Sequence, residues 1–310
     1  MGRNLKGFGI VLLFLIMLVS PKAVFAGASE GLLLWFQIIL PTLFPFLLIT
    51  NLLLVTGNMH LINAAFGTFL TRVFRVSPNG SFGVVTGFLC GYPMGAKTAA
   101  DLTVSGYISE EEGRYLLSFC NNSSPVFILN YVVWKTLEQD ALLLPTLVIL
   151  MLSPVLVSFF TRNRFLHKQG AFCNLKQNGS AKNAWSFQDI DNCIMDSFET
   201  LVKVGGYIIL FSVLLTLFES LPVDIPGISA LLPLLEVTSG LNLLREMRLP
   251  LRLLYPAVLG LTSFGGFCAA AQTQCMVQKA GFPMLPYLTQ KLAAAVTASL
   301  LGSLYLCLVG

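Results

Sequence analysis

Long uncharged, apolar stretches alternate with short charged segments along most of the chain. A helix needs about 20 predominantly apolar residues to cross the hydrocarbon core of a bilayer. Stretches of this kind lie at 32–56, 115–134, 141–161, 225–244, 253–278 and 292–310, with a shorter one at 204–218. The pattern predicts an all-α, polytopic membrane protein.

Composition supports this interpretation. Only 11% of the 310 residues are charged and 55% are hydrophobic, whereas a soluble domain carries about 25% charged residues. Lipid is therefore the expected solvent and the lipid bilayer the first expected partner. The net charge of +4 is too small to indicate a nucleic-acid partner.

The residues that usually build metal sites and active sites are scarce. The chain has seven cysteines without a Cys-x-x-Cys pair, and two histidines, so we expect no metal and no cofactor. The segment 91–98 resembles a phosphate-binding loop, but Ala96 stands where that loop requires its second glycine. Common hydrolase motifs are absent too, and we expect no enzyme activity.

Positive charge indicates which loops face the cytoplasm. The segment 162–188 contains five basic residues and no acidic one, which places it inside. Arg72 and Arg75 suggest the same side, so an even number of crossings should separate residues 75 and 162. The stretches at 115–134 and 141–161 supply two. The Gly- and Pro-rich segment that begins at Val76 should then be a re-entrant helical hairpin, which is stable only against protein or along a cavity.

The N-terminal region allows two interpretations. Its charged start, apolar middle and small residues near Ala26 fit either a secretory signal peptide or a retained first helix. The resulting organisation is an N-terminal segment at 1–30, a first membrane repeat at 31–161, a basic cytoplasmic loop at 162–194 and a second membrane repeat at 195–310.

Two Gly-rich segments suggest an internal repeat. Gly91 and Pro93 interrupt the first, and Gly265 and Gly266 interrupt the second. Paired interruptions of this kind indicate the central site of a transporter built from two related repeats. We expect the repeats to be inverted, each with a re-entrant or broken helical hairpin, although the arginines between 245 and 252 would then lie outside, against the usual charge bias.

A run of polar residues lies near the centre of the 115–134 stretch. Asn121, Asn122, Ser123 and Ser124 precede Pro125, whose ring clashes with a helical carbonyl four residues earlier and interrupts the helix. Freed carbonyls, amides and hydroxyls at this depth predict a polar-solute or ion site. The alternative is a kinked helix whose polar groups bind neighbouring helices.

Other polar residues in apolar surroundings are further candidates. Lys97 and Asp101 share a helix face and form either a gate or an ion pair near the headgroups. Glu236 is an isolated carboxylate, which by default indicates function, including proton coupling, unless its segment lies at the interface.

A second group of polar candidates follows the Gly265–Gly266 pair. Gln272, Thr273 and Gln274 offer neutral hydrogen bonds to a solute. Polar contacts between helices are the competing explanation.

Several motifs resemble a known family. The segments 39–46 (ILPTLFPF), 91–97 (GYPMGAK) and 118–128 (SFCNNSSPVFI) resemble the sporulation integral membrane protein of the YlbJ type, most closely over residues 30–135. The resemblance implies a spore-forming bacterium, a role in making the spore cortex, and a transporter-like fold related to the nucleoside-recognition "Gate" domain. It does not supply a substrate.

Two functions from different classes remain. The first is a cell-membrane transporter of a small polar solute, with H⁺ or Na⁺ as the coupling ion. The second is a non-transporting scaffold for a sporulation complex, with other sporulation proteins or further copies of the chain as partners.

Overall fold

The computed structural model describes residues 2–165, 186–220 and 231–309. Every regular element in these ranges is helical. The basic residues Lys168, Lys176 and Lys182 of the predicted cytoplasmic loop lie outside the described residues. The all-α prediction is confirmed for the described part of the chain.

The first half of the chain forms short and long helices in sequence. They are α1 (Gly2–Val19), α2 (Pro21–Leu34), α3 (Leu40–Thr56), α4 (Met59–Ile62), α5 (Thr68–Phe74), α6 (Pro78–Cys90), α7 (Met94–Val104), α8 (Glu110–Cys120), α9 (Pro125–Phe127) and α10 (Leu143–Phe165). Turns of π-helix at Trp35–Ile39, Asn63–Gly67 and Ile128–Leu137 join α2 to α3, join α4 to α5, and continue α9.

The second half has fewer and longer helices. They are α11 (Phe187–Ser220), α12 (Val237–Glu246), α13 (Leu251–Phe264), α14 (Gly266–Val277) and α15 (Met284–Val309). A 3₁₀ turn at Leu232–Leu234 precedes α12, and another at Gln278–Ala280 follows α14.

Five helical segments in the described ranges are long and apolar enough to cross a membrane. They are Pro21–Thr56, Asp140–Arg162, Phe187–Ser220, Leu251–Ala280 and Met284–Val309. The chain is a multi-pass membrane protein with the lipid bilayer as its surroundings.

Two of the apolar stretches that were predicted to span the membrane do not form a continuous long helix. The one at 115–134 is interrupted, and the described part of 225–244 holds only a 3₁₀ turn and the short helix α12.

The predicted boundary at residue 30 falls inside the continuous segment Pro21–Thr56. Its α2 portion packs closely against α11, because Gly27 and Gly31 bring the two backbones together. The hydroxyl of Thr216 donates a hydrogen bond to the carbonyl of Ala23 across this contact. The predicted boundary at residue 194 likewise falls inside a helix, α11.

The segment that begins at Val76 forms a helical hairpin. Helices α6 and α7 pack along each other, and Gly91 to Pro93 form the turn between them. Gly91 has φ 84° and ψ −174°, a conformation that is essentially restricted to glycine. The hydroxyl of Ser77 caps the start of α6 by accepting from the amide of Gly80.

The second Gly-rich segment differs from the first. Gly265 and Gly266 have φ values of 84° and 80°, and they interrupt one long span between α13 and α14. After this break the helices diverge, so that α13 packs on α15 while α14 packs on α7 and α11. The predicted match of Gly91 with Gly265 therefore pairs a hairpin turn with a break in a span.

A third interruption separates α8 from α9 at residues 121–124. Pro125 occupies the first turn of the new helix, where its missing N–H has no cost. The hydroxyl of Ser124 caps that helix by accepting from the amide of Phe127 at 3.2 Å. The proline thus starts a second helix rather than kinking a single one.

Candidate solute site

The interruptions of the helices meet around one cavity of about 340 Å³. Each interruption contributes to its wall. The contributing residues are Gly91, Tyr92, Ser123, Ser124, Glu236 and Gly265. Helix ends carry unsatisfied amides or carbonyls, so this arrangement brings main-chain polarity to one cavity within the helices of a membrane protein.

Hydrogen bonds hold the interrupted segments in pairs. The amide of Tyr92, in the hairpin turn, donates to the carbonyl of Asn122 at 2.6 Å. In the second half the amide of Cys268 donates to the carbonyl of Leu235 at 2.9 Å. In each half, therefore, a backbone hydrogen bond joins the region of a helix break to a turn that lies earlier in the chain.

One end of the cavity is open. Gln37, Thr42, Asn130 and Lys135 line it and are exposed. The ammonium of Lys135 lies 4.4 Å from the ring centre of Tyr131, close enough for a cation–π interaction. The cavity is therefore connected to the protein surface at this end.

Glu236 is buried in the cavity wall, at 4% exposure. It is not isolated, as the sequence suggested, because it is the N-cap of α12 and accepts a hydrogen bond from the amide of Ser239 at 2.8 Å. The hydroxyl of Thr238 donates to the same carboxylate oxygen. The helix start stabilises the negative charge, which explains how a carboxylate is accommodated at this depth.

Asn121 and Asn122 are buried and do not line this cavity. The amide nitrogen of Asn121 donates to the hydroxyls of Thr273 and Tyr287, at 2.8 and 2.9 Å. Its oxygen accepts from the backbone amide of Ala96. These side chains join helices around the break, while Ser123 and Ser124 reach the cavity.

Lys291 is a buried residue that the sequence interpretation missed. Its ammonium donates to the carbonyl of Asn121 at 3.0 Å and to the side-chain oxygen of Asn122 at 3.4 Å. The lysine therefore caps the end of α8 from another helix, since the last carbonyls of a helix attract cations. The sequence feature that could have revealed Lys291 is that it is the single charged residue in the apolar segment Met284–Val309. The sequence interpretation began its last apolar stretch at residue 292 and so left Lys291 outside the membrane.

The three polar residues after Gly265–Gly266 have different surroundings. Gln272 is buried and lines the cavity. Thr273 is buried in the contact with Asn121. Gln274 lies on the exposed side of the same helix and does not join the site.

Lys97 and Asp101 form the predicted ion pair, at 2.8 Å, but lie away from the cavity wall. The ammonium of Lys97 also contacts Asp196 at 3.0 Å and the side-chain oxygen of Asn51 at 3.3 Å. Asp101 pairs in addition with Lys279. The pair is thus the centre of a larger charged cluster, whose other members come from distant parts of the sequence.

The chain is similar in sequence to a known membrane protein. The chain is 27% identical, over 316 aligned positions, to "Sporulation integral membrane protein YlbJ" of Bacillus subtilis, and the match covers 90% of this chain and 76% of that protein. The resemblance to the YlbJ type is confirmed. No protein-family model matches the chain, and no solved structure matches it. The relation of the YlbJ type to the Gate domain stays a prediction.

Proposed function

We propose that this protein transports a small polar solute across the cell membrane during spore formation and is not an enzyme. The observation that carries the proposal is the meeting of helix interruptions around one cavity with an open end. Irregular backbone at membrane depth is stable only when it is buried in protein or lines a cavity. Transporter sites are built from discontinuous helices of this kind.

The direction of the helices supports two inverted repeats. Helix α3 runs from the cavity wall at Leu43 to the charged cluster at Asn51, whereas α11 runs from the cluster at Asp196 to the cavity wall at Val204. The order of elements is also similar in the two halves: a long span, a break that contributes to the cavity, an interrupted span and a final span. Related repeats of opposite direction around a central site are typical of secondary transporters.

The role in spore formation rests on the named relative. YlbJ of Bacillus subtilis is a sporulation integral membrane protein; a role in spore formation is proposed for this chain, in the cortex of the spore. Expression of the chain in a Bacillus subtilis strain that lacks YlbJ tests it. Restored yield of mature spores supports the role, and a yield equal to that of the empty vector rejects it.

Transport is tested by uptake into proteoliposomes. The purified protein is screened against labelled nucleosides, amino acids, sugars and carboxylic acids, with and without H⁺ or Na⁺ gradients. Glu236→Gln, in the cavity wall, should abolish uptake. Glu199→Gln is the matched control, because Glu199 is exposed on α11, away from the cavity wall, and pairs with the exposed Lys203 at 2.5 Å.

A scaffold is the second candidate, and one observation favours it. The side-chain oxygen and nitrogen of Asn121 and of Asn122 all form hydrogen bonds within the protein. If these amides only hold helices together, the protein can serve as an assembly platform for sporulation proteins or for further copies of itself. Spore yield that is restored by the Glu236→Gln variant, together with no uptake of any solute, would favour the scaffold.

A further inference from the structure

Four helices extend beyond the cavity on the side opposite its open end. Each contributes a residue to the cavity wall and a polar or charged one farther on, and in α3, α11 and the hairpin an apolar side chain lies between the two. On α3 the order is Leu43, Leu47 and Asn51, and on α11 it is Val204, Leu201 and Asp196. Eight residues separate the first and last members in both helices, which is about 12 Å along a helix.

The hairpin repeats this order, and α14 repeats its first and last members. Cys90 lines the cavity, Met94 follows in the turn of α7 nearest to it, and Lys97 lies one turn farther on. On the other helix, Gln272 lines the cavity and Lys279 lies in the 3₁₀ turn beyond α14. The cavity wall and the charged layer thus draw on all four elements, and the apolar layer between them draws on α3, α11 and the hairpin.

The middle layer is closed and apolar. Leu47, Met94 and Leu201 are at most 1% exposed and pack in one cluster with the cavity-wall residues Leu43 and Cys90. A polar solute in the cavity cannot cross this layer without separation of the helices, because the burial of an unpaired polar group among apolar side chains is costly.

The outer layer is an ion network. Lys97 is 6% exposed and contacts Asp101 and Asp196, and Asp101 also pairs with Lys279. Asn51 donates to Asp196 at 2.8 Å. Two cations and two anions therefore connect the hairpin to both α11 and the segment after α14, and thereby the two halves of the chain.

We infer that these two layers are the closed gate of the transport pathway, and that Lys97 is the residue that holds the gate shut. The inference rests on the proposed transport, and it adds the exit route, which lies between α3, α7, α11 and α14. The two carboxylates bind the same ammonium from different helices. Separation of α11 from α7 removes Asp196 from Lys97, while Asp101 stays with it on the same helix face.

The gated end lies on the side where α10 ends and α11 begins. Helix α11 starts at Phe187, and Asp196 follows within its first turns. The basic segment between these helices is predicted to be cytoplasmic, so the gate closes the cytoplasmic end while the cavity is open on the other side.

Labelling of Cys90 tests the gate without any need for transport. A small, charged methanethiosulfonate is applied to protoplasts and to inverted vesicles, and mass spectrometry measures its attachment at Cys90 and at Cys173. Cys173 lies between α10 and α11 in the sequence and identifies the gated face. In the unmodified protein we expect Cys90 to react from the open face alone.

Lys97→Met and Asp196→Asn should increase labelling of Cys90 from the gated face about tenfold or more, because a loss of differential stabilisation shifts the population toward the open state. Asp196→Asn is included in case Lys97→Met fails to fold, because the Asp196 side chain is half-exposed and its replacement should be tolerated. Lys203→Met, which removes an exposed ion pair on the same helix, should leave the labelling unchanged.

Two results would overturn the gate: equal labelling of Cys90 from both faces in the unmodified protein, or no increase from the gated face in either variant. A protein that has the gate but does not transport a solute would give a different set of results. In that case the variants open the gated face to the reagent, yet no solute enters proteoliposomes.

Discussion

The ammonium nitrogen of Lys291 lies 3.0 Å from the carbonyl oxygen of Asn121, where α8 ends. This contact joins the last span of the chain to the interrupted one. Both partners of the ammonium in the described part of the chain are neutral oxygens, from Asn121 and Asn122. The lysine is thus bound by the end of a helix rather than by a carboxylate.

Replacement of this lysine should destabilise the protein. Lys291→Met leaves the carbonyl of Asn121 and the side-chain oxygen of Asn122 without their donor, and a buried unsatisfied acceptor costs about 1–3 kcal/mol. Thermal unfolding in detergent, followed by the loss of monodisperse protein, measures the effect. The exposed Lys203→Met serves as the control, and equal midpoints for the two variants would contradict the capping role.

The hairpin turn offers a second stability test. An alanine at Gly91 would have to adopt φ 84° and would place its Cβ 2.8 Å from the amide nitrogen and 2.9 Å from the Cβ of Ser124. Gly106 also has a positive φ, of 74°, but a Cβ there meets nothing within 4 Å. The two substitutions therefore share a backbone cost and differ in the contact with the α8–α9 break.

Gly91→Ala should lower the free energy of unfolding by more than the ~1–3 kcal/mol expected for backbone strain alone. Gly106→Ala should cost no more than that strain. The measurement is the same thermal unfolding in detergent. If the two variants unfold at the same temperature, the hairpin turn does not pack against the break as described.

Much of the fold follows from the local sequence. Apolar length predicts the spans, and a proline inside an apolar stretch predicts an interruption, since its ring is incompatible with a continuing helix. The sequence does not reveal the side on which a polar group lies. Asn121 and Ser123 are two residues apart in one interrupted segment, yet only Ser123 reaches the cavity.

Contacts between residues that are distant in the sequence could not be predicted, for a different reason. The contact of Lys97 with Asp101 follows from their spacing on one helix. The contacts of Lys97 with Asn51 and Asp196 depend on how α3, α7 and α11 pack together. Glu236 looked isolated for the same reason, because its cap interaction depends on a helix start that hydropathy alone does not reveal.

Glu236 should have separable structural and functional roles. Glu236→Gln keeps an oxygen that can accept from the amide of Ser239, and so it should retain most of the helix cap while removing the charge in the cavity. Glu236→Ala removes the cap as well, at a typical cost of about 0.5–2 kcal/mol. Thermal unfolding should therefore distinguish the two variants, although both should lose uptake. Full uptake by Glu236→Gln would exclude a role for the charge.

Gln272 and Gln274 provide a matched pair on one helix, α14. Gln272 is buried and lines the cavity, whereas Gln274 is exposed. If the cavity holds the solute, Gln272→Ala removes one hydrogen-bonding group from the site. A typical hydrogen bond contributes about 1 kcal/mol, which corresponds to a rise of about fivefold in the apparent KM for uptake.

Gln274→Ala should leave the KM unchanged, because its side chain lies outside the cavity wall. Proteoliposome uptake at increasing solute concentration measures both variants, and thermal unfolding of the same preparations shows whether either one is destabilised. Among the described residues, the Gln272 side chain forms one hydrogen bond, in which its nitrogen donates to the sulfur of Cys268 at 3.3 Å. Since this is a weak bond, its loss should change stability little, and a change in KM can be assigned to the solute. Equal KM values for the two variants would move the solute site away from α14.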